Sequence, residues 1–207
     1  MSHEQHHDHG HAALSEIEAR VLAVESLLVE KGLIQSDAVD KIVYQFEHDI
    51  GPMLGAKVVA RAWTHPGFKS RLLADGAAAI GELGIDSRDI HLEVVENRPG
   101  VHNMVVCTLC SCYPWFLLGL PPVWYKSAPY RSRAVIEPRA VLREFGVDIA
   151  DETQIKVWDS SADLRYMVLP ERPAGTEGWD EERLAALVSR EAMIGTAVVA
   201  IPEAVRP

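Results

Sequence analysis

All three cysteines of this 207-residue chain fall within six residues, Cys107-Thr108-Leu109-Cys110-Ser111-Cys112. Three thiols at this spacing do not support a disulfide framework, because their number is odd and they sit too close together. A tetrahedral zinc site usually takes four protein ligands, commonly from two CxxC-type pairs, and the sequence holds no second pair. What C-x-x-C-x-C can do is wrap around one metal ion. In Cys110-Ser111-Cys112, two thiolates and the intervening backbone nitrogens of Ser111 and Cys112 can share one plane and close small chelate rings. Cys107 can reach back to an axial position, and one position stays open, as a catalytic metal needs. Thiolates alone would accept zinc, iron, cobalt or nickel. Deprotonated amides are very strong donors, and together with thiolates they favour a low-spin trivalent ion, a hard Lewis acid.

Such a loop needs a rigid mount, and the flanking pattern offers one. Ile90, Leu92 and Val94 alternate with more polar neighbours, and Pro99-Gly100 supplies the central pair of a tight turn. Met104-Val105-Val106 then runs directly into Cys107, so the cysteine loop is expected where a hairpin strand ends. Residues 155–158 and 164–169, joined by Ser160-Ser161-Ala162-Asp163, predict a second hairpin. Upstream, residues 53–83 read as short helices broken at Gly51-Pro52, His65-Pro66 and Gly76. Downstream, Pro121-Pro122 closes the segment after the cysteines. Residues 123–145 then read as mainly helical, interrupted at Pro129 and Pro138. A helix over about residues 180–190 and a final apolar stretch over 196–201 complete the body.

Before that body, Leu14, Ile17, Val21, Val24 and Leu28 follow a three-four spacing, a narrow apolar seam on a helix that ends near Gly32. A second helix is predicted after Ser36, a candidate N-cap with Asp37 in the first turn. Its apolar face is Val39, Ile42, Val43, Phe46 and Ile50. Residues 13–52 therefore read as a helical arm and 53–207 as the body that carries the cysteines. The first eleven residues contain His3, His6, His7, His9 and His11. Residues 1–12 read as a disordered tail that binds divalent metals incidentally, in preference to a dedicated metal collector.

Thirty acidic against twenty basic side chains give a formal charge of −10, which disfavours a nucleic-acid surface. The 48% apolar and 24% charged residues suit a globular chain that buries a core. No stretch has membrane-spanning length and the start lacks the apolar core of a signal peptide, so a cytoplasmic location is expected.

The run from Val106 to Trp115, Val-Cys-Thr-Leu-Cys-Ser-Cys-Tyr-Pro-Trp, followed by Gly119-Leu120-Pro121-Pro122-Val123-Trp124-Tyr125-Lys126-Ser127, resembles the alpha subunit of nitrile hydratase. It resembles the cobalt-dependent branch, which carries Thr and Tyr at the positions of Thr108 and Tyr113, where the iron branch has Ser and usually Thr. The resemblance implies an α+β fold, a layered α-β-β-α body with a helical N-terminal arm that embraces a beta subunit in a heterodimer, with α2β2 as the expected assembly. It implies one cobalt (Co3+) per alpha subunit, with iron as second choice, held by Cys107, Cys110, Ser111 and Cys112 and inserted by an activator or metallochaperone. In that family the second and third cysteines are oxidised, which makes Cys110 a sulfinate and Cys112 a sulfenate here and leaves Cys107 a thiolate. Two arginines of the beta subunit hold those oxygens. Hydration of a small nitrile to a carboxamide would follow, with Cys112, Cys110 and Ser111 as the catalytic group and Cys112 as either nucleophile or base. The metal-bearing subunit of thiocyanate hydrolase shares the motif and is the nearest alternative. A cobalt carrier is a further one.

Other residues carry less weight. Tyr113 and Trp115 are candidates for the wall of an apolar substrate pocket, although aromatics beside a loop are more often core. Lys126, Arg131, Arg133, Arg139 and Arg143 form a basic cluster, read by default as a solvated or internally paired helix face. His102 lies five residues before Cys107 and reads as a supporting or surface residue, not a ligand. Ser70, Ser87 and Ser160 stand in no nucleophile elbow.

Overall fold

The computed structural model describes residues 16–35, 37, 40, 41, 44, 50–110 and 112–202. The chain divides into two units, Met1–Tyr44 and Gln45–Pro207. In the first, α1 (Glu16–Glu30) ends where Gly32 N–H donates to Val29 O and Leu33 N–H to Leu28 O, a Schellman cap. None of its residues is buried, and Ile17, Val21, Leu22, Val24 and Leu27 all face outward. Leu14, the histidine tail and most of the second arm helix lie outside the described residues.

The second unit opens with α2 (Met53–Thr64), α3 (Pro66–Ala74) and α4 (Gly76–Gly81). The breaks fall where the sequence predicts them. Pro66 occupies the first turn of α3, where its missing N–H costs nothing, and the Asp75 carboxylate accepts from Ala78 N to start α4. Four strands follow in chain order, with helices between the second and third: β1 (His91–Glu96), β2 (Val101–Val106), β3 (Gln154–Asp159) and β4 (Leu164–Leu169).

Their pairing corrects the two predicted hairpins. β1 pairs in parallel with β4, and β2 in parallel with β3, so each expected hairpin contributes one strand to each of two sheets. The Pro99-Gly100 turn does form, closed by Arg98 and Val101 donating to each other's carbonyls, with Gly100 at φ 80°. That bridge is isolated. A turn with Pro and then a positive-φ Gly twists against the strands it joins and splays them, unlike the primed turns that extend hairpins.

Beyond the cysteines lie α5 (Trp115–Leu118), a 3₁₀ turn (Val123–Lys126), α6 (Ala128–Ile136) and α7 (Pro138–Glu144). Pro129 sits in the first turn of α6, starting that helix instead of interrupting it. The helix predicted over 180–190 is two: α8 (Glu181–Ala185), capped by Asp180, and α9 (Arg190–Ile194), capped by Ser189 accepting from Ala192 N. Two N-cap side chains nine residues apart end one helix before the next begins.

Leu72, Ile80, Met104, Leu117, Leu142, Met167 and Met193 are fully buried and form the centre of the core. A polar network is buried with them. In the neutral tautomer that satisfies both rings of contacts, His102 Nε2–H donates to Gly195 O at 2.8 Å while Nδ1 accepts from Asn97 Nδ2 at 3.4 Å. Asn97 Oδ1 accepts from Asn103 N, Asn103 Nδ2 donates to Glu96 O, and Asn103 Oδ1 accepts from Trp158 Nε1. This network ties both sheets to the end of α9. His102 is thus a buried structural residue, and burial holds it below its ordinary pKa against the smaller upward pull of Gly195 O and Glu171. Among the described residues no helix is long and apolar enough to cross a membrane.

Candidate metal centre

Cys107 follows β2 immediately and is buried, whereas Cys110 is exposed and Cys112 half-buried. The loop between them is fixed from several sides. Ser160 N–H donates to Val106 O at 2.8 Å, continuing the β2–β3 ladder one step past the strands. Asp159, the last residue of β3, grips Thr108 twice: Oδ1 accepts from Thr108 N at 2.9 Å and Oδ2 from Thr108 Oγ1 at 2.6 Å. Cys110 N–H points at Cys107 Sγ, 3.3 Å away. From below, Tyr125 OH donates to Cys112 O at 2.9 Å and Tyr130 OH to Val105 O at 2.7 Å. Arg131 Nη1 reaches the carbonyls of Thr108 and Cys110 at 3.5 and 3.3 Å.

The outcome is three thiols, none of them in a disulfide, converging on one point. Cys107 Sγ lies 3.4 Å from Cys110 Sγ, Cys110 Sγ lies 3.1 Å from Cys112 Sγ, and all three lie within 4.8 Å of one another. Two sulfurs at right angles on one metal, each bonded at about 2.3 Å, stand about 3.3 Å apart, whereas tetrahedral donors stand about 3.8 Å apart. The two shorter spacings lie nearer the value for perpendicular donors than for tetrahedral ones, so the three cysteines fit as joint ligands of one metal ion. Ser111 lies outside the described residues.

Without metal, the Cys112 thiol is pushed up to about 12, first by burial and next by the hydrogen bond with Cys110, with the charge of Arg165 opposing. It is a thiol at neutral pH until an ion replaces its proton, so metal uptake releases protons. Arg165 Nε and Nη1 are buried without hydrogen-bond partners among the described residues.

The other candidates separate. Tyr113 is buried edge-on against Tyr125, its hydroxyl without a hydrogen-bond partner among the described residues, and burial raises its pKa well above the ordinary phenol value. Trp115 is half-buried, with the Arg88 guanidinium 4.7 Å above its ring. Trp124 packs on Tyr130 and Phe145 as core. In the basic cluster, Arg133 pairs with Glu137 and Glu144, Arg143 lies near Asp148 and Asp151, and Arg139 donates to four backbone carbonyls, an internally paired face. Ser160 is buried, its hydroxyl accepting from Tyr166 N. Sequence reasoning missed Asp159 and Arg165 as neighbours of the loop, and it missed the particular contacts of Tyr125 and Arg131. None carries a local signal, since each arrives through tertiary pairing.

An α+β body that mounts three thiols around one point at a strand end defines a class, the mononuclear thiolate metalloprotein. The chain belongs to the nitrile hydratase alpha-subunit family: the sequence model described as nitrile hydratase, alpha chain, matches residues 15–197. It is 56% identical over 188 residues to the low-molecular weight cobalt-containing nitrile hydratase subunit alpha of Rhodococcus rhodochrous, covering 90% of this chain and 91% of that protein. It is 40% identical over 197 residues to the thiocyanate hydrolase subunit gamma of Thiobacillus thioparus, covering 89% and 81%. Among solved structures, a double mutant of the Fe-type nitrile hydratase of Comamonas testosteroni superposes with a TM-score of 0.85 at 43% identity, covering 90% of this chain and 94% of that one.

Proposed function

We propose that this chain is the metal-bearing alpha subunit of a cobalt nitrile hydratase, which hydrates nitriles to carboxamides together with a beta subunit. The observation that carries this reading is the convergence of Cys107, Cys110 and Cys112 at spacings of 3.1 and 3.4 Å, suited to joint ligands of one ion. The higher identity to a cobalt nitrile hydratase subunit than to a thiocyanate hydrolase subunit supports nitrile over thiocyanate as substrate. Thr108 and Tyr113 are the residues of the cobalt branch.

Cys107, Cys110, Cys112 and the backbone nitrogens of Ser111 and Cys112 would hold the ion, and trivalent cobalt supplies a Lewis acid that makes the nitrile carbon electrophilic. The protein's own part is to place an oxygen beside that carbon. Cys112, as a sulfenate, either attacks the carbon through its oxygen or takes the proton of an attacking water. On the first route the sulfur–oxygen bond breaks and a water restores the sulfenate; on either route one water is consumed and the carboxamide is released. The unanswered N–H groups of Arg165, whose charge already acts on Cys112, suit an oxygen carried there. Cys110, as a sulfinate, tunes the site and anchors partner arginines. Tyr113 backs the loop and Trp115 lies toward the substrate's side chain. Residues 13–52 serve as the arm on the beta subunit, 53–207 as the body, and an activator inserts the metal in the cytoplasm.

Co-expression with the beta subunit in cobalt medium, then parallel assays on an aliphatic nitrile and on thiocyanate, tests the reading. Carboxamide formation, one cobalt per alpha chain and three added oxygens on the cysteine peptide are expected. An active preparation with zinc and three unmodified thiols overturns it.

A further inference from the structure

Arg131 stands apart from the other arginines of its cluster. Arg133, Arg139 and Arg143 have carboxylates or a set of carbonyls that account for them, while no carboxylate pairs with Arg131 among the described residues. Among the described residues its Nε is buried without a hydrogen-bond partner, and Nη1 reaches two loop carbonyls, Cys110 O at 3.3 Å and Thr108 O at 3.5 Å. Its backbone is held in the first turn of α6, whose Ser127 cap accepts from Tyr130 N. The adjacent Tyr130 hydroxyl is fastened to Val105 O on β2. The guanidinium thus comes from a helix locked to the strand that carries Cys107, and it meets the loop from the outside.

We propose that Arg131 is a positioning residue for the metal, gripping the carbonyl oxygen of Cys110 so that the peptide bond beyond it can offer its nitrogen to the ion. A planar trans peptide carries its carbonyl oxygen and the following amide on opposite sides, so fixing one fixes the other. A nitrogen bound to a metal as an anion shares that charge with the same oxygen by resonance. A guanidinium with no carboxylate to neutralise it is then placed to answer the charge, and such charge-assisted contacts are about twice as strong as neutral ones. The proposal rests on the cobalt site above, with Ser111 as an amide ligand.

The test uses the cobalt-loaded complex with its beta subunit, in wild-type, R131M, R131K and R133M forms. Cobalt remaining after dialysis against a chelator and the visible sulfur-to-metal absorption are read alongside melting of the cobalt-free complex. R131M should lose cobalt about tenfold faster, as removal of a charge-assisted bond implies. Its absorption should be altered, while its cobalt-free form melts as wild type does. R131K should regain much of the retention, and R133M, which loses only the exposed pairs with Glu137 and Glu144, should match wild type. Wild-type retention in R131M overturns this inference alone. Loss in both R131M and R131K with a matching fall in cobalt-free melting also overturns it, because lost packing would do that. A wild-type complex that holds no cobalt sinks the cobalt reading itself.

Discussion

Cys112 and Asp159 act on the loop in different ways, and substitution separates them. Cys112 is the thiol that Cys110 meets at 3.1 Å, and under the proposed chemistry it bears the reacting oxygen. Cys112→Ser cannot carry oxygen on sulfur, so nitrile hydration should fall by at least about a hundredfold, the lower range for losing a positioned acid–base or nucleophilic group. A carboxamide assay checks this, with cobalt content measured on the same sample. Asp159 never touches a sulfur, but it is the side chain that pins Thr108 through two hydrogen bonds. Asp159→Ala should lower cobalt occupancy severalfold while costing about 1 kcal/mol of stability, because these bonds are exposed. Metal analysis and thermal melting test the two halves of that expectation. The two residues also differ in how far the sequence shows them. The cysteines are visible because a chelating loop is local, with all its donors inside six residues. Asp159 is separated from Thr108 by 51 positions, and only the β2–β3 register, Val106 opposite Asp159, brings it there.

At the scale of elements, the helix breaks ahead of β1 were readable, the break between α8 and α9 was not, and strand partners were not. Pro66 and Asp75 act through their own neighbours, so the sequence places α2, α3 and α4 correctly. Strand pairing depends on distant segments. Nearness in sequence favoured hairpins, yet β2 is buried from His102 through Val106 without alternation, the pattern of a parallel strand covered on both faces. The unalternating Met104-Val105-Val106 before Cys107 was the available sign. Two substitutions probe the junction the parallel pairs create. Gly195 ends α9 at φ 90°, and a Cβ there would stand 2.0 Å from Asn103 O. Gly195→Ala should cost at least about 3 kcal/mol, from left-handed strain plus the forced shift of β2, as urea unfolding would show. His102 gives the pH dependence. Its folded pKa is lowered by burial, so the native state prefers the neutral ring. That contribution is complete above the unfolded value of about 6.5 and is lost as pH falls from there through the lower folded value. Wild-type melting temperature should therefore drop between about pH 7 and 5 more steeply than that of His102→Gln, which has no ring to protonate.

For the molecule as a whole, α1 is the element that the described residues of its own unit do not explain. A 15-residue helix is marginal alone in water, because nucleation is unfavourable and most helical stability comes from packing an apolar face. Here that face is bare: Ile17 is 74% exposed, Val21 59% and Val24 57%, and no residue of the helix is buried. Its visible stabilisers are a Schellman cap and the exposed Glu16–Arg20 pair, each of small value. The seam matches the three-four spacing of a helix built to lie on another surface, and under the proposed function that surface belongs to the beta subunit. Paired substitution of Val21 and Val24 by Asp puts two charges into the seam without touching the core of residues 45–207. Burying two valines is worth roughly 3 kcal/mol before any cost of desolvating the new carboxylates. Association with the beta subunit should weaken by at least about a hundredfold, a change of about 2.7 kcal/mol. The alpha chain alone should melt within a degree or two of wild type. Analytical ultracentrifugation over a concentration series reads the first quantity and calorimetry the second. Undiminished association would place the contact with the beta subunit elsewhere on the chain, and a lower melting point in the isolated chain would mean that α1 belongs to the fold instead.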